Sequence, residues 1–391
     1  MEDDIYLQST QYRYFTFTPQ KLSEIRHHTN ALASTRLQSK LQSLISSGDL
    51  TPSSASPDPS ASPNPNNKPS ILERAPLTPS EELKLVSYYL TTLVALCDHF
   101  KTGSAVKATA LTFLSRIYLR ISPLQIHPKT LMLPILFLAF KSETGMQSAS
   151  WFIRTAAEAN LTITKEELLA PEINIAMNLR WSFHILHPYR GVEGVKLELL
   201  ALATGIYPGQ QVDGGGGGKS PYTRERVEKA CAKARALLTG GALFTDVYFL
   251  YTPSQITMAG VWAQDPPLVE HYLGVKFAVE KTRARLLRVV KECAERHLMA
   301  KKDGEYHYPE LLLRLPQNGV PMDAEVTPEL KKEAVRIDKK LFHLRKPLKD
   351  AKGKHSASDA AEEERRAKKR KLEQEKRDND DVFGGAMIKR K

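Results

Sequence analysis

His127-Pro-Lys-Thr-Leu-Met-Leu-Pro-Ile-Leu-Phe-Leu-Ala-Phe-Lys-Ser-Glu143 has no polar side chain from Leu131 to Phe140. A helix built on this run is apolar on every face and must be covered all round. Spanning a membrane needs about 20 apolar residues, and His127, Lys129, Lys141 and Glu143 close this run too early. A buried strand is the other rival, but Leu, Ala and Met favour a helix and Pro128 suits its first turn. The stretch therefore predicts a central core helix. Pro134 removes one backbone hydrogen bond and clashes with the preceding turn, so a kink there, or a helix starting near it, is expected.

Amphipathic segments lie on both sides of this core. Before it, Thr78-Pro79-Ser80-Glu81 is a capping box with proline at the first helical position. Leu83, Val86, Leu90, Leu93, Cys97 and Phe100 then follow at three- and four-residue steps. A second helix is predicted over 104–119, ended by Ser122-Pro123. After the core, the pattern predicts a helix over 149–159. A fifth, capped by Thr164 and Glu167, is expected to run to Arg180 or Trp181 with Leu168, Leu169, Ile173, Ala176 and Leu179 inward. Helical patterns at 189–204, 221–249, 252–264, 266–273 and 276–300 repeat that count. The fold class expected is all-α: two tandem five-helix domains with accessory helices at both ends.

The remaining segments frame this pair. Residues 1–45 read as an arm and a helix, with Tyr6, Tyr12, Tyr14, Phe15 and Phe17 crowded together and Leu22, Ile25, Leu32 and Leu37 near one stripe. Residues 46–75 form a Ser/Pro-rich insert that cannot bury enough surface to order itself. The domains are expected at 76–187 and 188–301, the second interrupted by a Gly-rich loop at 207–220. A connector and helix with Leu330, Val335, Leu341 and Leu344 inward occupy 302–348, and a disordered basic tail occupies 349–391.

The 391 residues are 41% hydrophobic and 26% charged, with a formal net charge of +12. From Lys331 to Lys391, twenty-one Lys and Arg face twelve Asp and Glu, a net of +9 that leaves +3 for the rest. The body is thus not the basic-faced domain that tracks phosphates. Cys97, Cys231 and Cys293 stand far apart, without metal spacing, and read as core thiols in an intracellular protein with no membrane span. Gly214 to Gly218 with Lys219-Ser220 imitates a phosphate loop, but Asp213 replaces its first glycine and no strand precedes it. His184 and His187 have no third ligand nearby. Neither an enzyme nor a cofactor is expected.

Thr245-Asp-Val-Tyr-Phe-Leu-Tyr-Thr-Pro-Ser-Gln-Ile256 reads as an apolar helix end, a Thr252 cap and a new helix from Pro253 through Trp262. This segment closely resembles the third helix of the second box in the H-type branch of the cyclin family. Ser9-Thr10-Gln11-x-Arg13-x-x-Thr16-Phe17, His127-Pro128 with Phe137-Leu138-Ala139-x-Lys141, and His187-Pro188-Tyr189-Arg190-x-x-Glu193-Gly194 resemble other parts of that branch, in the same order. The resemblance covers roughly residues 9–44 and 76–300.

What it implies is a non-catalytic regulator. Its partners would be a cyclin-dependent kinase catalytic subunit, a RING-containing assembly factor and the TFIIH core. In that family a Lys ending the third helix and a Glu in the fifth grip the kinase. Lys141 matches the Lys and Glu143 falls where an acid is usual, whereas Asn174 stands in the register of the Glu and Glu172 lies two residues earlier. The interface implied is Phe137, Phe140, Lys141, Glu143, Glu172, Asn174 and Met177, with arm contacts from Tyr12, Arg13, Tyr14, Phe15 and Phe17. Without the resemblance, Lys141 and Glu143 read as a solvated helix cap. Arg365, Arg366, Lys368, Lys369, Arg370 and Lys371 resemble a nuclear import signal, or a solvated charge run. Other transcriptional cyclins of the C, K or T types, and a TFIIB-like nucleic-acid binder, are the alternatives.

Overall fold

In the computed structural model the residues described are 3–48, 75–143, 145, 147–204, 222–298 and 328–348. Most of the Ser/Pro insert, the glycine run, the connector, the basic tail and the import-like run lie outside them.

Among the described residues every regular element is helical. Short α1 (Asp3–Gln8) and α2 (Thr10–Phe15) precede α3 (Pro19–Ser46). A first set follows: α4 (Pro79–His99), α5 (Ser104–Ile117), α6 (Pro128–Ser142), α7 (Ala149–Glu158), α8 (Lys165–Leu169) and α9 (Glu172–Asn178). The second comprises α10 (Pro188–Ala203), α11 (Arg224–Thr239), a 3₁₀ turn (Gly241–Phe244), α12 (Val247–Leu250), α13 (Pro253–Trp262), α14 (Pro266–Lys276) and α15 (Glu280–Cys293). A last helix, α16, spans 328–348.

Every residue from Leu131 to Phe140 is buried, because α6 is packed by α4, α5, α8 and α9. Its start is set locally: His127 Nδ1 accepts from the Lys129 amide at 3.0 Å, and Pro128 follows. The helix runs through Pro134 and does not begin there. In the second set α13 holds the matching place, packed by α10, α11, α14 and α15. Thr252 and Gln255 form its capping box.

Several sequence expectations need correction. The fifth helix of the first set is two pieces, α8 and α9, parted at Ala170 and Pro171, since proline offers no amide to carry the hydrogen-bond ladder across. Ile173, expected inward, is 62% exposed. The expected helix over 221–249 stops at Gly240 and continues as the 3₁₀ turn and α12. Leu32 and Val335 are exposed, with Ala33 and Ala334 beside them buried, while Leu22, Leu37, Leu330, Leu341 and Leu344 are buried as expected.

The described chain divides into two compact units, Met1–Ser34 with Leu77–Lys339, and Thr35–Pro76 with Lys340–Lys391. The smaller contributes Leu37, Leu41, Leu341 and Leu344 as buried residues. In the larger, Asp338 of α16 accepts from Tyr89 at 2.7 Å and lies 2.9 Å from His127 Nε2. Arg336 donates to Glu81 at 2.8 Å.

Candidate partner-binding face

Lys141 occupies the last turn of α6 and Glu172 the first turn of α9. Each charge therefore sits at the helix end whose dipole favours it. Lys141 Nζ donates to Glu172 Oε1 at 2.5 Å and lies 4.8 Å from the centre of the Phe137 ring. Both side chains keep about a third of their surface, 33% and 34%, so the pair is held in place yet reachable. The break at Pro171 sets Glu172 at the start of a new helix. Asn174, the residue in family register, instead accepts from Asn178 Nδ2 at 2.9 Å within its own helix.

Beside this pair α9 buries Ile175 and Ala176 and turns Ile173 and Met177 outward, and Trp181 follows one turn on. These three large apolar residues are 62%, 60% and 60% exposed. Ile173 and Met177, four apart, share the outer face of α9, and Trp181 follows beyond the helix end; exposed large apolar residues gathered in this way are the kind of surface that marks an interaction site. Arg180 and Trp181 both adopt left-handed backbone (φ 51° and 57°), a conformation that costs a non-glycine residue about 1 kcal/mol or more. Two amides meet the cost, Arg180 N to Met177 O at 3.1 Å and Trp181 N to Ala176 O at 2.9 Å. That double bond is a Schellman closure, usually made with glycine. The sequence reading missed Ile173 and Trp181; the four-residue spacing from Met177 was their only signal.

The other expected residues fall elsewhere. Phe137 and Phe140 are 7% exposed and pack on Phe152, centroids 5.2 and 6.0 Å away; they brace the end of α6 from within. Glu143 caps α6 and links both sets: Thr109 Oγ1 of α5 donates to it at 2.7 Å and Arg190 Nη2 of α10 at 3.0 Å. With the Thr109 proton so committed, His187 Nε2 is the donor to Thr109 Oγ1 at 2.9 Å. Tyr248 then donates to His187 Nδ1 at 3.2 Å. Burial, with Arg190 and Arg116 nearby, pushes His187 down to about 3, so the ring is neutral. His184 is exposed, and the two histidines form no joint site.

From the arm, Phe15 is buried against Leu22, Leu119 and Phe249, with Tyr14 and Phe17 packed around them. Arg180 lies over the Tyr14 ring at 4.9 Å. Tyr12 is 40% exposed and meets Tyr6 edge-on at 5.5 Å, and Arg13 faces solvent. The three cysteines are buried and unpaired, and burial raises each thiol pKa. Among the described residues no three or more His, Cys, Asp or Glu converge as metal ligands, and no helix is long and apolar enough to cross a membrane.

Residues 187–297 match the cyclin C-terminal domain. The chain is 31% identical to Cyclin CCL1 of Saccharomyces cerevisiae over 71% of its own length and 62% of that protein's, so it spans about three fifths of that relative. It is 26% identical to Cyclin mcs2 of Schizosaccharomyces pombe, over 71% and 74% of the two chains. Among solved structures it superposes on a chain of the CAK complex from Chaetomium thermophilum bound to ATP-gamma-S with a TM-score of 0.65, at 27% identity over 88% and 89% of the two chains. On a chain of the yeast TFIIK (Kin28/Ccl1/Tfb3) complex the TM-score is 0.53, at 27% identity over 74% and 99%. With two helical sets, each wrapped around one buried helix, and with these similarities, the chain belongs to the cyclin family.

Proposed function

We propose that this chain is a non-catalytic cyclin that binds a cyclin-dependent kinase and activates it allosterically. The complex would be the CDK-activating kinase module of TFIIH, with a RING-containing assembly factor, acting in the nucleus to support phosphorylation of the RNA polymerase II C-terminal domain. The observation that carries the reading is the pairing of Lys141 and Glu172 beside the exposed side chains of Ile173, Met177 and Trp181. Exposed apolar side chains anchor a partner helix, and the two charges fix its register. Activation then follows from differential binding: contacts made only with the active placement of the kinase's regulatory helix shift its population toward that state. The similarity to chains from the Chaetomium and yeast assemblies supports the choice of kinase class.

A charge swap tests this. Lys141→Glu alone is expected to lower kinase activation about tenfold or more, with the melting temperature nearly unchanged. The double variant Lys141→Glu/Glu172→Lys restores the internal pair with reversed polarity. Activation should stay low in it if the charges serve the kinase; recovery to the wild-type level would reduce the pair to an internal brace.

A further inference from the structure

A chain of buried hydrogen bonds joins the two helical sets and contributes no surface to the proposed kinase face. Tyr248 of α12, His187 at the start of α10 and Thr109 of α5 are 5%, 3% and 0% exposed. The chain ends on Glu143, the residue that closes α6. Buried polar groups are costly unless every one is partnered, and apolar side chains of the same shape would fill such a seam about as well. What a fully partnered chain adds is orientation.

Each link has one direction, set by the carboxylate. Glu143 accepts, so Thr109 gives it its proton, at 2.7 Å. Thr109 Oγ1 is then left to accept from His187 Nε2 at 2.9 Å. Burial, with Arg190 and Arg116 nearby, keeps the ring neutral, so a proton on Nε2 leaves Nδ1 bare to accept the Tyr248 hydroxyl at 3.2 Å. The opposite tautomer would turn Nε2 into an acceptor for the Thr109 proton, and Glu143 would lose its donor. The tautomer of one ring in the second set therefore decides how a carboxylate of the first is held.

That carboxylate sits where α6 ends. The Glu143 amide donates to Ala139 O at 3.1 Å, and its other side-chain oxygen accepts from Arg190 of α10 at 3.0 Å. Lys141, two residues earlier, is held by Glu172 of α9. The end of α6 is thus tied to both sets at once.

We propose that Tyr248, His187 and Thr109 are positioning residues through which the second set holds Glu143, and with it the last turn of α6, in the geometry that presents Lys141 to the kinase. Their role rests on the kinase reading of that face. All three are buried, so they act on the face only through Glu143.

The test uses the full chain and the cyclin-dependent kinase catalytic subunit that co-purifies with it. Thr109→Val keeps the side-chain shape and removes the hydroxyl, whereas Thr109→Ser keeps the hydroxyl. Tyr248→Phe acts from the far end, by freeing His187 to carry its proton on Nδ1. Melting temperatures are measured first, and activation is read well below them with the cyclin titrated to saturation, so that a merely weakened fold leaves the saturated rate unmoved. Expected are a saturated rate about tenfold lower in Thr109→Val, recovered in Thr109→Ser, and about threefold lower in Tyr248→Phe. Nitrogen-15 spectra of labelled histidine should place the His187 proton on Nε2 in wild type and partly on Nδ1 in Tyr248→Phe. A wild-type saturated rate in Thr109→Val, an equal loss in Thr109→Ser, or a wild-type proton on Nδ1 would overturn the proposal. Should Thr109→Val not fold, a wild-type saturated rate in Tyr248→Phe overturns it as well. A wild-type chain that activates no kinase overturns the kinase reading itself, and the positioning role with it.

Discussion

Glu82 shows how much one buried group contributes. It lies in α4 at 9% exposure and accepts from the Ser122 hydroxyl. Burial raises its carboxyl from 4.5 to about 7, partly offset by hydrogen bonds from Ser122 and Asn30. A raised carboxyl pKa means the folded state holds the proton more tightly, so its stabilising effect is complete below about pH 4.5 and lost as pH rises to about 7. A displacement of that size corresponds to about 3 kcal/mol. Glu82→Gln keeps an acceptor for Ser122 without the charge. Thermal melts should show the variant more stable by up to about 3 kcal/mol at about pH 8 and equal to wild type at about pH 4. Equal melting temperatures at both values would mean that the carboxyl ionises without penalty.

At the scale of an element, the proposed face assigns stability and recognition to opposite sides of α9. Its inward face, Ile175, Ala176 and the adjoining Leu179, is buried, while Ile173, Met177 and Trp181 face out. Serine at Ile173 and Met177 leaves that buried face intact, and at Trp181 it removes one edge-on ring contact, with Phe183 at 6.1 Å. Unfolding free energy should change by no more than about 0.5 kcal/mol per site, and affinity for the proposed kinase partner should fall about tenfold or more. Calorimetric titration with the purified kinase, beside urea unfolding of each variant, reads both. Unaltered affinity would move the interface off α9. The neighbouring α6 was the most legible element in the sequence, because ten apolar residues need cover whatever surrounds them. For the expected fifth helix, periodicity named Leu168 in α8 and Ala176 and Leu179 at α9 rightly, and Ile173 wrongly, in the first turn after the break at Pro171.

Across the molecule the arm fastens the two helical sets together. Gln11 accepts from the Leu186 amide at 2.8 Å, Phe17 donates through its amide to Phe249 O at 2.7 Å, and Arg26 pairs with Asp246 through bonds of 2.8 and 2.6 Å. Beneath it lies Arg116, 1% exposed, donating to Ser182 O at 3.2 Å with its guanidinium 4.4 Å from the Phe15 ring. Burial lowers this guanidinium to about 9, so the aromatic face helps to hold a cation that has left water. Phe15→Ala removes both the hydrophobic contact and that face. It should destabilise by about 3–5 kcal/mol, more than Phe15→Leu, and urea unfolding of the two variants measures the difference. A Phe15→Leu variant as stable as wild type would show that the ring serves only by its volume.

The sequence by itself determined where helices begin and which one is central. Thr78 with Glu81, Thr164 with Glu167 and Thr252 with Gln255 complete their caps within four residues, so no distant part of the chain has to be known. Tertiary structure alone decided the rest. Arg26 and Asp246 are separated by 220 residues, His127 and Asp338 by 211. Lys141 found Glu172 rather than Asn174 because a broken helix placed one carboxylate within reach. Caps and apolar runs are local and satisfy themselves, whereas a pairing across helices depends on the angle at which those helices pack, which no short stretch encodes.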